Sequence, residues 1–358
     1  MKDSIQLEIF DEHKIREHIE VGATVYATPE VIDIKHLCWK HLLGPYGPSN
    51  VVALRSASRN LIGRSFIQPR KFWISFSKYC NGGTITDLVI EPDQRNAVAL
   101  IAMTKAIKSP TGFDVVVHTS NEISDLIYRK LFKFPIAFTL SAVGLPIRIG
   151  NILKPYCANS LILNLLEFLL KFWRMSLIVI SKIMDNLNGF SFSTKPTYQV
   201  SNEILNQFRQ HAGCHFDRSI EFLNWRFLDG ELFKGKVEWV WVQGECIGYV
   251  AFRSVKVGEL QAFVLIDAIF NRPLTKLEGV VIKFFMARQA VIHSCDVVFV
   301  LANMKSSALK WLRGFPFVSI PDERLPHSTP IFIHASKEFQ DLESKDDMFF
   351  TLADLDYF

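Results

Sequence analysis

Asp87 and Glu91 stand four residues apart in an apolar run that stops at Pro92, and a helix-forming stretch begins just beyond. Side chains alternate along a strand, so both carboxylates fall on one face near its end. A carboxylate there can take a proton from an amine, directly or through water. The continuation Val89-Ile90-Glu91-Pro92-Asp93-Gln94-Arg95-Asn96-Ala97-Val98-Ala99 carries the chain from strand to helix. Free backbone N–H groups at such a helix start can hold an anion such as a pyrophosphate, and Arg95 adds a cation. Taken alone, the same residues also describe an ordinary strand-loop-helix with a surface arginine and solvated carboxylates. His118, Glu122 and Asp267 are further candidate bases near strand ends. No Ser-His-Asp order with a nucleophile elbow occurs, and no Walker loop. His211 and His215 flank Cys214, but no second ligand cluster accompanies them, so no metal site is expected.

The elements that must position these residues follow from apolar periodicity. In the first half the pattern predicts a helix over 34–43, strands over 51–55 and 61–67, and a buried strand over 85–90. A helix over 94–108, a strand over 113–118 and a helix over 124–132 follow. The second half repeats the plan, with a helix over 220–228 and strands over 237–242, 246–252 and 261–269. It continues with a helix over 274–293, a strand over 297–301 and a helix over 306–312. Strands followed by strand-helix-strand-helix imply a mixed sheet with helices on both faces.

The two halves also share residues. Leu37-x-Trp39 with Gly44 is echoed by Leu223-x-Trp225 with Gly230, Ile62-Gly63 by Ile247-Gly248, and Asp87 by Asp267. Asp114-Val115-Val116 is echoed by Asp296-Val297-Val298, and Asn121-x-x-Ser124 by Asn303-x-x-Ser306. Matches in one order at nearly one spacing point to a duplicated domain, since the spacing is a domain length and not a solenoid repeat.

A strand ending in Pro92-Asp93-x-Arg95 before a helix, then a strand leading to Asn121-x-x-Ser124-x-x-x-Tyr128, resembles the GNAT acyltransferase superfamily. The resemblance covers roughly residues 30–145 and 200–335. It implies an α/β fold of two tandem acyltransferase-like domains, each a mixed, mostly antiparallel sheet with helices on both faces. It divides the chain into a lead-in at 1–25, a first domain at 26–150 and an apolar linker helix at 151–195. A second domain at 196–335 and a C-terminal tail at 336–358 follow. Acyl-CoA or acetyl-CoA becomes the expected co-substrate, bound along Val89, Ile90, Gln94, Arg95, Asn96, Ala97, Val98, Ala99 and Asn121. Tyr128 is expected to protonate the departing thiolate, a task that suits a phenol at pH 7. Asp87 and Glu91 are the expected bases for a small-molecule amine or amino-sugar acceptor. The sequence departs from the family in the pyrophosphate loop, where Val98 and Leu100 stand in place of glycines. In the second half Lys310 replaces the tyrosine, and the loop at Asn271 has no glycine-rich run. The first half is therefore the expected donor site. Two other readings stay open: a non-catalytic tandem scaffold, and a transferase that takes its acyl group from a carrier protein or an aminoacyl-tRNA.

Bulk properties narrow the partners. A net charge of +4 on 358 residues, with no dense Lys/Arg stripe, gives no reason to expect nucleic acid. The cysteines are scattered without C-x-x-C spacing, and the polar N-terminus lacks an apolar signal core, so a cytoplasmic protein is expected. The run from Leu161 to Ile183 is apolar, yet it contains Glu167, Lys171, Arg174 and Lys182, which are costly inside a bilayer. A helix buried between domains is one expectation for it, and a peripheral helix lying on a membrane surface is the other.

Overall fold

The computed structural model describes residues 4–25, 32–108, 112–120, 124–125, 127–148, 150–153, 160–193, 195–230, 235–257, 259–325 and 328–355. Among these residues the strands form one eight-stranded and one seven-stranded sheet. The first contains β1 (Ser4–Ile9), β2 (Asn50–Arg55), β3 (Leu61–Trp73), β4 (Tyr79–Ile90) and β5 (Val115–Thr119) in that order. β1 to β4 run antiparallel, and β5 joins β4 in parallel after a crossover helix at Ala97–Lys108. The lead-in expected at 1–25 is thus part of the sheet, because β1 pairs with all of β2.

The second sheet repeats this arrangement. β10 (Lys236–Val242), β11 (Glu245–Val257) and β12 (Leu260–Phe270) are antiparallel, and β13 (Val297–Ala302) is parallel to β12. β8 (Phe190–Ser193) closes its outer edge against β10.

Each sheet is completed by a strand from across the expected domain boundary. β7 (Ser141–Pro146), which follows the first half's β6 (Phe138–Thr139), pairs with β13 and with β14 (Val318–Ile320) in the second sheet. β15 (Pro330–Ala335), from the chain's far end, pairs with β5 and β6 in the first. A third link is β9 (His215–Phe216), which pairs with Phe72 and Trp73 of β3. The sheets therefore do not follow the expected 26–150 and 196–335 division at these strands. Residues 348–355, expected in a tail, are almost entirely buried.

The helices pack as amphipathic layers. They are α1 (Ile15–Ala23), α2 (Ile34–His41), α3 (Ala97–Lys108), α4 (Ser160–Leu187), α5 (Tyr198–His211) and α6 (Lys276–Ile292). α2 starts at Asp33, whose side chain accepts from the His36 N–H. α3 buries Ala99, Met103 and Ile107 on the sheet. The stretches expected as helices at 124–132 and 220–228 instead contain wider π-type turns at Ile127–Leu131 and Asn224–Asp229. Such turns shift side-chain spacing and occur often at functional positions.

The repeated residues meet each other. The Trp39 and Trp225 rings stack at 5.3 Å, and each indole N–H donates to the other's backbone carbonyl at 2.8 Å. Gly230 lies beneath Trp39, where a Cβ would come within 2.8 Å of the ring, and Gly44 faces Trp225 in the same way at 4.0 Å. The Leu-x-Trp and glycine pattern is thus the reciprocal contact between the halves.

Candidate active site

The parting of parallel strands defines the site in each half. β4 and β5 pair only from Gly82–Thr84 to Val115–Val117, after which β4 runs on to Ile90. β12 and β13 likewise pair from Ala262–Leu265 to Val297–Val300, and β12 continues to Phe270. Both continuing strands slip register against their antiparallel neighbour, between Arg64 and Phe66 in one and between Ala251 and Phe252 in the other. Asp87, at φ 50°, and Asp267 sit at these irregularities. Three residues further along each strand a glycine of the repeat faces it, Gly63 opposite Ile90 and Gly248 opposite Phe270. A Cβ on Gly63 would reach the Val89 carbonyl at 3.1 Å, and one on Gly248 would reach the Ile269 carbonyl at 2.0 Å. The bulge and the close approach of its neighbour come as a set.

The two gaps have different contents. In the second half the C-terminal segment crosses between the parted strands. The Thr351 hydroxyl donates to Asp267 on β12 at 2.8 Å, and the Asn303 N–H beyond β13 donates to the Phe350 carbonyl at 2.9 Å. The Asn303 amide also donates to the carbonyls of Asp346 and Met348. The residue that matches the expected cofactor asparagine therefore holds the protein's own chain. Among the described residues, no hydrogen bond spans the first-half gap in this way.

The helix starts differ as well. At the head of α6, the Glu278 carboxylate accepts from the Thr275 N–H and both terminal nitrogens of Arg272, at 2.7–2.8 Å. Arg272 holds its carboxyl low, at about 2. That helix already carries an internal anion where a phosphate would sit. At the head of α3, Asn96 caps with a neutral amide, its oxygen accepting from the Ala99 N–H at 2.9 Å. Arg95 Nε donates to the Ile90 carbonyl at 2.9 Å, so its guanidinium lies against the end of β4. Val98, at a position where the family carries glycine, is 77% exposed. Among the described residues no carboxylate binds the head of α3 as Glu278 binds that of α6. Gln94, Ala97 and Asn96 line this turn, while Val89, Ile90 and Ala99 put their side chains into the core.

The expected acid and base residues lie in three surroundings. Asp87 accepts from Lys40 Nζ at 2.8 Å and His41 Nε2 at 3.2 Å. Burial alone would raise its pKa, but Lys40 and His41 overcome this and hold it well below the usual carboxylate range. Burial pushes His41 down to about 3, so it is neutral. Its Nε2–H donates to Asp87, and its Nδ1 accepts from Ser49 at 3.0 Å. So tightly held a carboxylate is a weak base, and Asp87 ties α2 to β4. Glu91, half-buried at the end of the strand, makes no such pair among the described residues. Tyr128 is 5% exposed, with its ring edge-on to His118 at 4.8 Å and beside Phe134 and Phe332. Asn121 lies outside the described residues.

His334 was not among the residues picked out from sequence. It arrives on β15 and places Nε2 3.1 Å from Nε2 of His118. Burial lowers His118 to about 3 and His334 to about 4, so one neutral imidazole donates to the other. Its only sequence signal is the apolar run Ile331-Phe332-Ile333 that precedes it, which cannot reveal a partner 216 residues away.

Charge also gathers between the halves. Arg218, from the second half, donates to Asp267 at 2.8 Å and to Asp354 at 2.7 Å, and Tyr249 donates to Asp267 at 2.9 Å. Burial works against the Arg218 charge, but the two aspartates more than compensate and raise its pKa. Arg70, from the first sheet, reaches the other Asp354 oxygen at 3.4 Å and stacks over Phe216 and Phe222. Among the described residues, no group of three or more His, Cys, Asp and Glu side chains can hold a metal ion. His211 and His215 bond to the backbone carbonyls of Phe270 and Gly213.

No family model and no curated protein matches the sequence. Solved structures do match in shape. Saccharomyces cerevisiae N-myristoyltransferase with bound myristoyl-CoA and inhibitors aligns at TM-score 0.56 and 12% identity, over 93% of this chain and 80% of that one. A GCN5-related N-acetyltransferase from Anabaena variabilis aligns at TM-score 0.55 and 13% identity, over 92% and 72%. A probable N-acyltransferase from Enterococcus faecalis aligns at TM-score 0.51 and 10% identity, over 93% and 71%. The parted parallel strands, the two bulges and these alignments agree: the chain has the GNAT/N-myristoyltransferase fold, built from two GNAT-like halves.

Proposed function

We propose that this protein is an N-acyltransferase whose donor site is the gap between β4 and β5. The observation that carries this reading is the contrast between the gaps. The second is crossed by the chain's own C-terminal segment and its helix start carries Glu278, while among the described residues the first has neither. An acyl thioester such as acyl-CoA would lie along the free edge of β4, with its phosphates toward α3 and Arg95. The thioester supplies the activated carbonyl. The amine nitrogen attacks that carbonyl, the C–S bond breaks, and the nitrogen loses one proton while the thiolate gains one. Glu91 is the accessible carboxylate for the first proton, and the Tyr128 phenol, resting on His118, is the donor proposed for the second. Asp87, paired with Lys40 and His41, positions the bulge. The acceptor is an amine, either a small molecule or an amino sugar, met in the cytoplasm where the thiols stay reduced. A second reading, a tandem scaffold without catalysis, draws on the exposed Val98 and on the burial of Tyr128.

Thermal melting with acetyl-CoA and with myristoyl-CoA tests the reading, since a ligand at a hundredfold its Kd stabilises by about 2.7 kcal/mol. The expected result is a higher Tm with at least one donor, abolished by Arg95→Glu. With a stabilising donor in hand, Tyr128→Phe should lower turnover more than donor binding. No shift with any acyl-CoA would sink the coenzyme A donor, and an unchanged rate would remove Tyr128 from the mechanism.

A further inference from the structure

α4 packs one face against α6 and leaves the other uncovered. The buried face holds Leu177 and Ser181, both 0% exposed, and Asp185, which pairs with Arg288 of α6. The opposite face presents Leu161, Leu165, Phe168, Phe172, Val179 and Ile183, each at least 49% exposed. At 100° per residue these form one stripe, which runs about 33 Å along the helix from Leu161 to Ile183. Phe168 and Phe172 meet edge to face at 5.2 Å on this outer surface. So large an exposed apolar face on a folded chain marks a contact surface.

The charges say what covers it. Glu167 is bound by Arg174 at 3.0 Å, and Asp185 by Arg288, so both acidic residues of the helix are already matched. Lys171 and Lys182 are exposed, and both fall along the same edge of the stripe. Among the described residues neither makes an ion pair. The free face is therefore apolar with a cationic edge. A second copy of α4 would bring no free carboxylate to meet those lysines. No described helix is long and apolar enough to cross a membrane, so a lipid contact here is one that lies in the plane. We propose that α4 docks this protein on an anionic lipid surface, with the aromatic pair among the acyl chains and Lys171 and Lys182 at the headgroups. This docking stands apart from the donor-site reading, because none of its residues borders the β4–β5 gap.

Flotation of the full chain with vesicles tests the proposal, using phosphatidylcholine alone and an equimolar mixture of phosphatidylcholine and phosphatidylglycerol. Binding to the mixed vesicles is expected, weaker at high salt and weaker still on phosphatidylcholine. Phe168→Ser with Phe172→Ser should abolish it while near-UV circular dichroism stays unchanged, since both rings sit outside the core. Lys171→Gln with Lys182→Gln should weaken binding to the mixed vesicles by roughly 30-fold. Failure to float with either vesicle at low salt would overturn the docking. So would self-association in solution that the same Phe changes remove. Equal binding to both vesicle types would overturn the anionic assignment.

Discussion

Lowering the pH should unfold this protein through its buried histidines. His18, His41, His118, His215 and His334 are each at most 3% exposed. Burial drives their pKa values down from 6.5, to about 3 for His41 and His118 and to about 4 for the other three. A group whose folded pKa is depressed binds its proton in the unfolded chain first. Stability is therefore full above 6.5 and is lost as the pH falls toward the folded values. Each histidine costs about 0.7 kcal/mol between pH 7 and 6 and about 2 kcal/mol by pH 5. The five together remove about 3 kcal/mol at pH 6 and about 10 kcal/mol at pH 5, against a total stability of about 5–15 kcal/mol for a typical protein. Urea titrations followed by near-UV circular dichroism at pH 8, 7 and 6 give the slope directly. Native signal at pH 8 that collapses near pH 5 is the expected outcome. A urea midpoint that does not move between pH 7 and 6, with native signal kept at pH 4.5, would refute the burial of neutral imidazoles as drawn.

Two further predictions concern the seam between the halves. Asp354→Ala leaves Arg218 and Arg70 short of a counter-charge and should cost about 3–5 kcal/mol in urea unfolding, while the exposed Asp341→Ala should change little. Equal effects of the two would deny Asp354 its role. Trp39→Phe and Trp225→Phe should each cost about 1 kcal/mol or more, by losing an indole hydrogen bond to a backbone carbonyl. Each bond uses the partner's backbone, so the coupling in a double-mutant cycle of Trp39→Leu and Trp225→Leu, which remove the rings, reports the ring stacking, about 0.5–1.5 kcal/mol. A coupling near zero would mean that the rings do not stack in solution.

Local features of the fold were legible because they rest on local physics. The strands at 51–55 and 246–252 and the helices at 94–108 and 274–293 follow from apolar periodicity and lie within a few residues of where they form. The repeat was legible too, and Trp39, Trp225, Gly63 and Gly248 proved to be the residues that build the seam and the bulges. What the chain order hid is everything decided by a distant partner. Nothing in Ser141–Pro146 or Pro330–Ala335 tells which sheet so short an apolar strand will join, because its backbone groups can pair with any open sheet edge. At the site, Asp87 and Arg95 were visible by type and position. The Lys40–His41 clamp that lowers Asp87 could not be seen, since it depends on α2 docking beside β4.

The exchange of strands bears on how the two halves came to differ. Because β15 completes the first sheet and β7 the second, neither half keeps its full sheet without the other. Beyond β15 the chain returns to the second half, and residues 346–355 are that return. Its course takes it into the second gap, where Asn303, Asp267 and Arg218 each bind it. Once there, Asp354 also reaches Arg70 across the seam, so the segment pins both sheets at one point. The segment bridges the parted strands there, and Glu278 is bound at the head of α6 beside them. The halves differ accordingly: residues 346–355 bridge the parted strands of the second, and among the described residues no such bridge spans those of the first.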